Sequence, residues 1–72
     1  MILSYHNLGE KKRHRVKAKI TTEHSASSYG QPVIVLEDGG ALDLFSWTVL
    51  GYRVIQAGKR ERAELARMGL AV

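Results

Sequence analysis

The chain has 72 residues and a mass of 8.0 kDa, room for one small domain at most. Apolar residues make up 44% and charged residues 25%, the balance of an ordinary folded protein rather than a disordered one. Eleven Lys and Arg face seven Asp and Glu for a formal charge of +4, and there is no cysteine, which excludes disulfide scaffolds, thiolate zinc sites and thiol catalysis.

Residues 1–13 read as a flexible N-terminal arm, because Asn7, Gly9 and the polar run Glu10-Lys11-Lys12-Arg13 hold no sustained period. A single folded domain is then expected over residues 14–72. From Arg15 the pattern is strict. Val16, Ala18 and Ile20 alternate with Arg15, Lys17, Lys19 and Thr21, the period of a strand with one apolar face and one line of positive charge.

Glu23 to Gln31 carries serines and a glycine without period and reads as a connection. Pro32 suits the first position of a strand, and Val33-Ile34-Val35-Leu36 is apolar on both sides, as in a strand covered on each face. Glu37-Asp38-Gly39-Gly40 is a turn signal. These residues resemble a known pattern. Gly30-Gln31-Pro32-Val33-Ile34-Val35, followed by Gly39 or Gly40 and a short apolar run, looks like the central hairpin of the Phd/YefM antitoxins, over residues 30–44. The resemblance implies a small regulatory protein. That family places an amphipathic helix before the hairpin, where this chain has the alternating Arg15–Thr21 segment.

Ala41 to Leu50 fits two states. As a strand, Phe45, Trp47 and Val49 alternate with Ser46 and Thr48. As a short helix, Asp43 is the N-cap and Gly51 the residue past the end, and the passage from Leu50 into Tyr52-Arg53-Val54-Ile55 favours the helix. Tyr52–Ala57 is a further strand. Lys59–Gly69 reads as a helix with Arg60–Glu64 and Glu64–Arg67 pairs along one side.

The expected fold is therefore α+β. Three strands lie near 14–22, 32–37 and 52–57, a short helix or fourth strand lies near 43–50, and a C-terminal helix packs on one sheet face. Leu65, Ala66, Met68, Val33, Val35, Ile20, Val54, Phe45 and Trp47 are the expected core.

Charge is unevenly placed. Residues 11–20 carry +6 while residues 21–50 carry −4. Lys11, Lys12, Arg13, Arg15, Lys17 and Lys19 with Arg53 form the candidate nucleic-acid-binding set, with Arg60 and Arg67 as extensions. The competing explanation is an edge strand whose lysines block sheet-to-sheet association. A protein–protein module, homodimeric or antitoxin-like and using the apolar 41–52 stretch, is the alternative function.

Enzymatic readings are weaker. His6, His14 and His24 match no metal-ligand spacing, so no metal or other cofactor is expected. The serines near His24 lack a nucleophile elbow. Glu37 and Asp38 point to opposite sides of a strand, unsuited to paired-carboxylate chemistry. No apolar run nears the roughly 20 residues of a membrane span, and the first residues lack a signal-peptide pattern, so no membrane partner and a cytoplasmic location are expected.

Overall fold

The computed structural model describes residues 1–70. The chain runs β1 (Ile2–Tyr5), β2 (His14–Thr21), β3 (Val33–Leu36), β4 (Ala41–Leu42), α1 (Leu44–Val49), β5 (Arg53–Gln56) and α2 (Lys59–Arg67). The strands form one antiparallel sheet in the order β4-β3-β2-β1-β5. Four strands meander, and α1 then carries the chain back to lay β5 beside β1. No helix is long and apolar enough to cross a membrane.

The long β2 is the spine. Its first half, His14–Lys17, pairs with β1, and its second half, Ala18–Thr21, pairs with β3. In the strand order β2 lies between β3 and β1, but each half is laddered on one side only, so the edge-strand explanation of its lysines still applies along the open side of each half. The alternation decides orientation: Ala18 is buried with Val16 and Ile20 packed about the core, while Arg15, Lys17 and Lys19 are exposed.

Where the sequence predicts an arm, the structure has a strand. Leu3 is 0% exposed, pairing with Val16 on β2 and Val54 on β5. Only residues 6–13 form a connection, pinned by His6 N–H donating to the Leu50 carbonyl and Glu10 N–H to that of Asn7. A strand of four residues offers too few alternations for a period to be read.

The 43–50 stretch resolves as a helix. Asp43 Oδ1 accepts the Ser46 N–H at 2.6 Å, which caps its start and holds the Asp43 carboxyl below the usual carboxylate range. Gly51 ends it with φ +59, Gly51 N–H donating to the Thr48 carbonyl and Tyr52 N–H to that of Trp47. The positive φ favours glycine, and a side chain at Gly51 would in addition meet the His6 ring 2.9 Å away and displace it. The α2 helix ends the same way through Gly69, with Leu70 N–H on the Leu65 carbonyl. Each ending delivers an apolar residue, Tyr52 or Leu70, into the core beside the helix residue it bonds.

The buried cluster is Leu3, Ala18, Ile34, Trp47, Tyr52, Leu65 and Leu70, with Ile20, Val54 and Met68 packed against it. Two expected core residues are corrected: Phe45 is 77% exposed and Ala66 lies on the exposed side of α2. A six-residue helix buries one side only, and in α1 Trp47 takes it. Val35 is buried, but its register with Lys19 and Ala41 puts it on the opposite side of the sheet from Ile34. The expected Glu64–Arg67 pair forms on α2.

Glu61 binds α2 to the rest of the fold. One carboxylate oxygen accepts the Gly58 N–H at 2.9 Å, and the other lies 3.3 Å from the Met1 ammonium, which itself donates to the Ala18 carbonyl. The Gly58 hydrogen bond, followed by the ammonium, holds the Glu61 carboxyl below its ordinary value. A carboxyl depressed in the folded state adds stability above the ordinary carboxylate range, lost as pH falls through the folded value. Glu61→Gln should therefore lose less stability than the native chain between about pH 5 and about pH 2. Urea midpoints across that range are the measurement, and parallel curves for the two proteins would contradict it.

Candidate nucleic-acid interface

The face opposite the core is built by strand parity. On β2 it presents Arg15, Lys17 and Lys19, spaced about 6–7 Å apart. Register sets their neighbours: Arg15 beside Ser4, Lys17 beside Ile2, and Lys19 beside Val35. On the far side of β1, Ser4 pairs with Arg53 and Ile2 with Gln56. Lys11 and Lys12 are exposed in the connection leading into β2.

The ion pairs among the described residues are Met1–Glu61, His14–Glu10 and Arg67–Glu64. None uses Lys11, Lys12, Arg15, Lys17, Lys19 or Arg53. The acidic group nearest the stripe in the hydrogen-bond network is Glu37, which accepts the Lys17 backbone N–H at 3.4 Å rather than pairing with its ammonium. A row of like charges without internal counter-charge is unfavourable in the free protein and favours an anionic partner.

Arg13 does different work from the other six. It is half-buried, with Nε donating to Ser4 Oγ at 2.6 Å and Nη2 to the carbonyls of Ser4 at 3.0 Å and Gly51 at 2.5 Å. Ser4 is only 4% exposed, so the guanidinium satisfies a polar side chain that has little access to water, and it ties β1 to the end of α1. Arg13→Ala should cost about 2 kcal/mol, because truncation strands these acceptors. Lys11→Gln and Lys12→Gln should stay within about 0.5 kcal/mol of the native chain. Denaturant midpoints check both, and an unaffected Arg13→Ala would deny the clamp.

The aromatic side chains do not interleave with the stripe. Tyr5, Tyr52 and Trp47 stack in sequence, with centroids 5.1 and 5.7 Å apart, and Tyr52 and Trp47 are buried. The exposed aromatics, Tyr29 and Phe45, lie in the 22–32 connection and on α1. Such a surface suits contact with phosphates more than stacking on bases. Among the described residues no three His, Asp or Glu side chains are grouped to hold a metal ion.

The chain matches no protein-family model, and no curated protein or solved structure matches it. The segment that precedes the hairpin, a helix in the Phd/YefM pattern, is the strand β2.

Proposed function

We propose that the protein is a small, non-enzymatic, cytoplasmic nucleic-acid-binding domain that holds the polyanion backbone against the basic face of β2. The observation that carries this reading is the set of six exposed cations, Lys11, Lys12, Arg15, Lys17, Lys19 and Arg53, with no carboxylate paired to any of them among the described residues. Of their neighbours in register, Ile2 and Val35 are apolar and Ser4 Oγ is held by Arg13, leaving Gln56 as the one carboxamide available to a base edge, so binding is expected to depend only weakly on sequence. An NMR titration with a short random single-stranded oligonucleotide at two salt concentrations tests this. Amides of residues 11–19 and Arg53 should shift at low salt and recover at high salt. Shifts confined to α1, or none, would overturn it.

A protein–protein role is the second reading, favoured by Leu44 and Phe45, which stand 59% and 77% exposed on consecutive positions of α1. A concentration-dependent sedimentation coefficient abolished by Phe45→Ser would support its homodimeric form.

A further inference from the structure

We infer that Arg15 and Arg53 form a two-pronged seat for a single phosphate group, flanking the Arg13 guanidinium that covers Ser4; this rests on the polyanion reading and specifies where on the face it is tightest. Both arginines are strand residues in register with Ser4, one on each flanking strand. Neighbouring strands lie about 4.8 Å apart, so the two Cα atoms stand about 10 Å apart on one face. Two arginine side chains are long enough to reach a shared tetrahedral oxyanion across that gap. Two lysines at the same positions would offer point charges without the paired donors.

The central position is arranged to suit this. Ser4 is short and covered by Arg13, whose Nε holds its hydroxyl, so a third guanidinium rather than a β1 side chain lies between the two arginines. Arg13 adds a third positive charge beside the pair. Its Nε and Nη2 are committed to Ser4 and Gly51, but its Nη1 donors have no protein acceptor among the described residues. Arg13, bonded to Ser4, and Ser4's register partners Arg15 and Arg53 thus bring three arginines to one position, with no carboxylate bonded to any of them among the described residues. The arrangement is repulsive when empty and relieved by one anion.

Charge-preserving variants separate this seat from the general attraction. Arg15→Lys and Arg53→Lys should each weaken binding of a short random oligonucleotide at least about fivefold with its salt dependence retained, whereas Arg62→Lys on the exposed side of α2 should stay within about twofold. On the native chain, inorganic phosphate should shift the Arg15 and Arg53 Nε–H signals along one saturating curve. A nucleic-acid phosphodiester is distinguished from free phosphate by whether oligonucleotide displaces that curve. If the oligonucleotide binds with steep salt dependence but both lysine variants match the native chain, the seat is overturned and the polyanion reading stands. If the native chain binds no oligonucleotide at any salt, the underlying reading falls and takes the seat with it.

Discussion

Leu3→Ala is expected to cost about 3–4 kcal/mol, which brings the domain to the edge of unfolding at 25 °C because a domain of this size holds only about 3–5 kcal/mol in reserve. Leu3 has no exposed surface and sits on the middle strand of the β2-β1-β5 half of the sheet, flanked by Val16 and Val54. Removing its isopropyl group opens a cavity lined by two paired strands, which have little freedom to collapse into it. Phe45→Ala serves as the contrast. It removes a larger apolar side chain from an exposed position and should change stability by less than about 0.5 kcal/mol. Urea unfolding followed by circular dichroism reads both. A Leu3→Ala chain as stable as the native one would mean that residues 2–5 are the loose arm suggested by their sequence.

The second large effect concerns binding. Replacing Arg15, Lys17 and Lys19 together by Gln should weaken oligonucleotide affinity by about two to three orders of magnitude at low salt, because each phosphate left unneutralised retains its counterions. The same three changes should leave stability unaltered or slightly raised, since the side chains point away from the core and repel one another. A matched triple on α2, Lys59, Arg60 and Arg62 to Gln, makes an identical change in net charge at exposed positions elsewhere. If net charge alone governs binding, the two triples behave alike. If the β2 row is the contact surface, the α2 triple loses less than about tenfold.

These expectations rest on features that differ in how far the sequence reveals them. Strand β2 is legible because Arg15–Thr21 alternates without a break, and that same alternation shows which side chains face outward. The β3–β4 turn is legible through Asp38-Gly39-Gly40, where Gly39 takes φ +89 and Asp38 Oδ1 accepts the Gly40 N–H. Strand β4 has only two residues, and β1 only four, so neither carries a period; both exist because neighbouring strands supply their hydrogen bonds. The place of β2 between β3 and β1 depends on β1, which carries no readable period, so the alternation alone fits an edge strand as well as a binding one.

The candidate site divides along similar lines. Outward orientation of Arg15, Lys17 and Lys19 is a local property of a pleated chain and can be read residue by residue. The separate employment of Arg13 is not. Its acceptor Gly51 lies 38 positions further along, and nothing in the run Lys11-Lys12-Arg13 distinguishes the third cation from the first two. Nor does the sequence bring Arg53 to Arg15. That juxtaposition needs β5 to return beside β1, a consequence of the α1 crossing.

The most direct test is the salt dependence of affinity for a short random oligonucleotide, measured by fluorescence anisotropy on the native chain. With about four phosphates neutralised along the β2 face, log K should fall against log salt with a slope of about −3. A slope near zero, or no measurable binding at low salt, would contradict the account.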